Sequence, residues 1–124
     1  METEFTAAPV RGHGEGKLLG VPTINLSMES VPKNLEEGVY ACRASLDGND
    51  FLPCTMHFGP RPAMGREASC EVHILDAEDV SQPESVTVRV VERLRAISDF
   101  PSPEALVAQI LKDNDRARGI LAVP

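Results

Sequence analysis

The chain has 124 residues, and its twelve basic side chains against nineteen acidic ones give a formal charge of −7, which argues against a nucleic-acid or anionic-membrane surface. The length fits one domain with a core of its own, and with aromatics at 4% and no tryptophan that core has to be built from Val, Ile, Leu, Met and Ala. Cys42, Cys54 and Cys70 are odd in number, widely spaced and without a CxxC pair, so they suggest neither a disulfide framework nor a zinc site and read as reduced, partly buried residues.

Met1 to Pro9 carry no strong pattern, which leaves a short edge strand and a loose terminus both open. No basic segment followed by an apolar run opens the chain, and no stretch approaches the roughly twenty apolar residues of a membrane span, so a cytoplasmic protein is expected. Arg11 to Asn25, RGHGEGKLLGVPTIN, is the most informative stretch. Gly12, Gly14, Gly16 and Gly20 allow close approach of the backbone to a polyanion, and Lys17 adds a point charge, a combination suited to covering phosphates. Pro22 fixes its own φ and biases Val21 toward extended geometry, predicting a strand that leaves the loop. In a strand Thr23 and Asn25 share a face, offering two neutral oxygens to a small hard cation such as magnesium. The stretch is neither a Walker A motif nor a strand-preceded GxGxxG.

Ser27 to Glu37 reads as a surface connection, and Val39 to Leu46 as a half-buried strand closed by the turn residues Asp47-Gly48-Asn49-Asp50. Phe51 to Phe58 is expected to pair back as the second arm of a hairpin, with Pro53 at an edge or a bulge. Gly59 to Arg66 is too rich in Pro and Gly for regular structure and reads as a second functional loop. Ser69 to Asp76 returns to strand character, with Cys70, Val72 and Ile74 on one face and Glu71 and His73 on the other. An acidic connection follows, then a strand over Ser85 to Leu94 with Val86, Val88 and Val90 inward. Ser102 as N-cap, Pro103 at the first helical position and Glu104 near the dipole's positive end mark a C-terminal helix. Its apolar stripe is Leu106, Ile110, Ala117 and Leu121 with Val107 and Leu111 alongside, and Asp113, Asp115, Arg116 and Arg118 are expected on the wet side. Five or six short strands and one helix predict a small β-barrel capped by a helix.

Among residues able to carry chemistry, Glu71 is the acid embedded in a strand between apolar neighbours, from which a carboxylate can face a ligand. His73 shares its face, Arg61 sits between two prolines where an anion could be held, and Arg95 at a strand end could equally salt-bridge the barrel. No GxSxG element or Cys–His pairing signals a nucleophile.

Taken together these segments resemble the riboflavin kinase (flavokinase) family, including the kinase domain of bifunctional bacterial flavin-adenine-dinucleotide synthetases. The likeness runs from about Val10 to Arg118. Gly12, Gly16, Lys17, Leu19, Gly20, Pro22, Thr23 and Asn25 follow the family's loop ending in Gly-Phe-Pro-Thr-Ala-Asn. Gly38 to Ala41, Phe58 to Pro62, Glu71 to Asp76, Leu94-Arg95 with Phe100, and Gln109-Ile110, Asp113 and Ala117-Arg118 follow in the family's order. The resemblance implies one domain over residues 1–124 with its core at 10–120: a six-stranded Greek-key barrel with a C-terminal helix, acting as a monomer on riboflavin and ATP with Mg2+. It implies ATP under the glycine loop at Gly12, Gly14, Gly16, Lys17, Gly20 and Pro22, metal and phosphates at Thr23 and Asn25, and flavin beside Arg95 and Phe100. Glu71 is implied as the base that receives the ribityl hydroxyl proton.

The chain departs from the family pattern at His57, usually Asn, at Ala63, usually Thr, at Ile97, usually Glu, and after Asp76, where Leu-Tyr-Gly is missing. These positions motivate a second reading, a flavin- or nucleotide-binding module of the same fold without turnover, and a third, an interaction domain reusing the barrel. The nucleotidylyltransferase part of the bifunctional relatives has no counterpart in this sequence, so synthesis of flavin adenine dinucleotide is not expected.

Overall fold

The computed structural model describes residues 3–10, 23–61, 66–77 and 80–122, of which Arg61 and Arg66 are described by backbone alone. The strands are β1 (Thr3–Ala7), β2 (Pro9–Val10), β3 (Thr23–Leu26), β4 (Gly38–Leu46), β5 (Phe51–Arg61), β6 (Arg66–Ile74) and β7 (Val86–Arg95), followed by the helix α1 (Pro103–Leu121). All strand pairs are antiparallel, in the order β1-β7-β4-β5-β6-β3-β2. In the sequence β4, β5, β6 each strand lies beside the one before it, and β7 then returns to lie against the outer side of β4, which is a Greek key.

The described strands number seven, not six, and the difference lies at the N-terminus. β1 pairs with β7 at one end of the sheet and β2 with β3 at the other, yet only Ala8 separates them. Consecutive Cα atoms are about 3.8 Å apart, so the two ends of the sheet must curl until they nearly meet. The covalent chain thus draws the half-barrel together, and the Ser27 amide donates to the Ala8 carbonyl at 2.9 Å across the seam. Pro9 suits this corner because it has no N–H to leave unpaired.

Alternation within the strands separates two hydrophobic groups. Tyr40, Cys42, Ala44, Cys54, Met56, Cys70, Val72, Ile74, Val86 and Val88 fill the barrel interior. Val39, Ala41, Leu75 and Leu94 point the other way and pack with Ala117 and Leu121 of α1. β4 is therefore buried on both faces along almost its whole length, not on one as its composition suggested. The three thiols lie in the interior and are fully, not partly, buried. Burial, with smaller contributions from Cys42 and Glu71, pushes Cys70 up to about 12, and burial beside Cys42 raises Cys54 as well, so both stay neutral and unreactive at ordinary pH.

Three other expectations need adjusting. Pro53 is on an inner strand and pairs with Arg43 without a bulge; its carbonyl accepts from the Leu75 amide at 2.9 Å, but it has no N–H to return the bond, and the regular β5–β6 pairing begins one residue on, at Cys54 and Ile74. The Pro- and Gly-rich segment after Phe58 is partly regular, because β5 continues to Arg61 across a register shift between Gly59 and Arg61. Gly59 holds φ 140, a conformation that side-chain-bearing residues rarely adopt, which explains how the strand accommodates the irregularity. In α1 the cap is as expected, with the Ser102 hydroxyl accepting from the Ala105 amide at 3.1 Å and Pro103 following. Asp113, however, is buried and faces the sheet, with Asn114 beside it, whereas Leu111 is exposed. No helix among the described residues is long and apolar enough to cross a membrane.

Candidate active site

Residues directly opposite one another in a ladder share a face, with Cβ atoms about 5 Å apart. The registers Asn25–Glu71, Glu71–His57, His57–Val39 and Val39–Arg95 therefore set one row across β3, β6, β5, β4 and β7 on the outer face of the sheet. The row beside it runs Thr23, His73, Thr55, Ala41. The sequence places Thr23, Asn25, Glu71 and His73 on common strand faces, and the topology puts those faces side by side.

Glu71 is 0% exposed, which is costly for a carboxylate unless polar groups surround it. Ser69, two residues earlier on the same face, donates its hydroxyl to Glu71 Oε2 at 3.1 Å. His57 Nδ1 lies 4.0 Å from the same oxygen. Thr23 Oγ1 and His73 Nδ1 are 3.3 Å apart in the neighbouring row. An open groove of about 290 Å3 runs along the other side of Asn25 and Ser69, between Val10, Met28 and Glu29, large enough for part of a small organic ligand. The arrangement offers a buried carboxylate next to neutral oxygens, and a groove bordered by two of its neighbours, Asn25 and Ser69.

At the opposite end of the row stands Arg95. Three strand spacings separate it from Glu71, roughly 14 Å along the sheet. Its Nε donates to both Asp113 oxygens at 3.0 Å and its Nη2 to Oδ2 at 2.8 Å, while Nη1 reaches the Ala96 carbonyl at 3.2 Å. Gln109 adds a hydrogen bond to Asp113 Oδ1 at 3.0 Å, and the Arg95 guanidinium carbon lies 5.5 Å from the centre of the Phe100 ring. Arg95 and Phe100 thus lie together, with the cation committed to docking α1 on the sheet. Between the two ends, His57, His73, Arg95 and Asp113 border a cavity of about 20 Å3, room for about one water. Thr55 closes its floor and donates to Asn114 of α1 at 3.0 Å.

Gly12, Gly14, Gly16, Lys17, Gly20 and Pro22 lie outside the described residues, as does Ala63. The sequence reading missed Ser69, Asn114 and the inward turn of Asp113. Ser69 was open to discovery, since it stands two positions before Glu71 on one strand face. Asn114 and Asp113 carried no such signal, because polar residues on a helix ordinarily mark its wet side.

Comparison with known proteins agrees with this architecture. A family model described as riboflavin kinase matches residues 2–121. The human riboflavin kinase is 31% identical over 121 residues, spanning 93% of this chain and 78% of the human protein. A crystal structure of a Streptococcus pneumoniae chain described as a macrolide-efflux protein superposes with a TM-score of 0.75 at 26% identity, over 93% of this chain and 38% of that one. The crystal structure of riboflavin kinase from Trypanosoma brucei superposes with a TM-score of 0.64 at 19% identity, over 99% of this chain and 82% of that one. With its half-barrel, its C-terminal helix and a family match along nearly its whole length, the chain belongs to the riboflavin kinase family.

Proposed function

We propose that the chain transfers the γ-phosphoryl group of ATP to the 5′-hydroxyl of riboflavin, giving FMN and ADP. The observation that carries this reading is the fully buried Glu71 in one row with Asn25 and His57, with Thr23 two positions along. As the hydroxyl oxygen bonds to the γ-phosphorus, the bond from phosphorus to the β–γ bridging oxygen breaks. ADP departs with that electron pair, and the hydroxyl proton passes to the Glu71 carboxylate. Phosphoryl transfer asks mainly for positioning and charge neutralisation, so one acceptor and a well-held phosphate chain suffice.

Thr23 and Asn25 fit a small hard cation such as Mg2+: both offer neutral oxygens on one face of β3, beside a carboxylate. Among the described residues no group of three or more His, Cys, Asp or Glu gathers around a metal position, so the ion would take the rest of its shell from phosphate and water. When bound it neutralises charge on the phosphates. In this reading Gly12, Gly14, Gly16, Lys17, Gly20 and Pro22 cover the ATP phosphates, and the flavin lies toward Arg95 and Phe100, with the Arg95–Asp113 tie serving as a fixed wall. The chain acts as a monomeric kinase domain in the cytoplasm, where its thiols stay reduced.

Incubation with riboflavin, ATP and magnesium, followed by chromatographic separation of the fluorescent flavins, should yield FMN in step with ADP. No FMN across a range of flavin concentrations and divalent metals would sink the reading. Ligand-induced thermal stabilisation without product would then favour a binding module.

A further inference from the structure

We infer that His57 is a positioning residue for Glu71: it fixes the carboxylate's orientation and carries the packing of α1 to the reacting end of the sheet. The inference rests on the reading of Glu71 as the proton acceptor. A glutamate has three side-chain torsions, and holding one of its oxygens within about 3 Å of a substrate hydroxyl requires something to restrict them. Packing against apolar walls restricts position but not the rotation of the carboxylate plane. Polar neighbours on one oxygen do both.

Two such neighbours converge on Glu71 Oε2. Ser69 reaches it from below along β6, at 3.1 Å, and the His57 imidazole flanks it from β5, at 4.0 Å. The second distance is an electrostatic contact beyond hydrogen-bond length, and it gains weight because both side chains are withdrawn from water, His57 at 8% exposure and Glu71 at 0%. With Oε2 turned toward Ser69 and His57, the planar carboxylate presents Oε1 on its other side. His57 is in turn held from behind. Val39 is its cross-strand neighbour in β4, and Ile110 and Asp113 of α1 border the same small cavity as the imidazole. His57 thus lies between α1, across that cavity, and Glu71, beside it in the row.

The atom that makes the contact is Nδ1, three bonds from Cα. The side-chain amide of asparagine places a polar atom at that same remove, and glutamine places its amide one bond farther out. This difference separates positioning of Glu71 from simple filling of space. In the FMN-forming assay H57L should lower kcat about thirtyfold, in line with a small misplacement of a reacting group, and leave KM for riboflavin and ATP within about twofold. H57N should recover kcat to within about threefold of the parent, and H57Q should remain near H57L. Thermal melts taken alongside report whether each variant folds. A folded H57L with kcat within about twofold of the parent, a loss confined to KM, or equal recovery by H57N and H57Q would each overturn the inference. Where H57L fails to fold, the ranking of H57N above H57Q decides. A parent chain that makes no FMN overturns the reading of Glu71 and the role of His57 with it, whereas an active parent with an indifferent His57 overturns the role alone.

Discussion

Two buried acids, Glu71 on the outer face of the sheet and Asp113 on the helix packed against that face, are built on opposite plans. Asp113 is gripped by the Arg95 guanidinium through both of its oxygens and receives Gln109 as well, an opposite-charge fork with its lone pairs spoken for. Glu71 is flanked in its ladder row by an amide and an imidazole, and a serine hydroxyl reaches the oxygen on the imidazole side. The first arrangement spends a charge pair on fixing α1 to β7. The second keeps a carboxylate in a dry site beside a hydroxyl and an imidazole, the setting that the proposed proton transfer to Glu71 calls for. Burial alone does not distinguish a structural acid from a chemical one; the identity of its partners does.

The largest test of this contrast is at Glu71. E71Q keeps the shape and removes the acceptor, so FMN formation should fall on the order of a thousandfold, about 4 kcal/mol of activation free energy. Its melting temperature should be no lower than the parent's, since a neutral amide is less costly to bury than a carboxylate. A rate close to the parent's would remove Glu71 from the chemistry. A large loss of stability instead would make it a second Asp113.

At Asp113 the effect should move to stability. D113A leaves the guanidinium without its partner, and because Arg95 keeps 20% of its side-chain surface exposed the loss belongs near the lower end of the buried-pair range, about 3 kcal/mol in urea denaturation. An apolar pair, R95M with D113L, should recover much of that loss, because the charges cancel one another rather than adding stability outright. If D113A is as stable as the parent, the clamp is ornamental and the contrast between the two acids collapses.

Much of this architecture can be read before any coordinates are seen. Alternation in β6 separated Cys70, Val72 and Ile74 from Glu71 and His73, and Ser102-Pro103-Glu104 marked the start of α1, because both signals are local. The seam at Ala8 was not legible, since nothing in a two-residue strand such as Pro9-Val10 says which edge it will join. Nor was the inward face of Asp113, whose partner lies eighteen positions away on β7. His57 stood out only as a departure from a family pattern. Its neighbour Glu71 is fixed by the β5–β6 register, which passes through an irregularity at Gly59 and Arg61 that no periodicity count foresees.

That irregularity provides a test lying between the two regions. Gly59 is two residues beyond His57 on the same face, and a Cβ added there would meet Ile97 Cγ1 at 3.0 Å while φ stays at +140°. G59A should cost about 2 kcal/mol in urea denaturation, combining backbone strain with the clash, and should also lower kcat through His57. Adding I97A relieves only the clash, so the double variant should recover part of the stability. Full recovery would mean that the left-handed backbone carries no strain.

The smallest effect is expected at the start of α1. S102A removes the oxygen that accepts from the Ala105 amide and leaves a helix-end donor to water, a loss of about 1 kcal/mol that chemical denaturation can resolve. S102D should restore it, because aspartate caps as well as serine and adds a favourable charge at the helix N-terminus. Neither substitution touches Ile110 or Asp113, which hold α1 over His57 two turns further on, so kcat should stay within about twofold of the parent in both. A fall in kcat that tracked the lost stability would show that the first turn of α1, and not only the Arg95–Asp113 clamp, sets the position of the helix over the active face, and the division between a structural and a chemical region would have to be redrawn along the helix instead of between the acids.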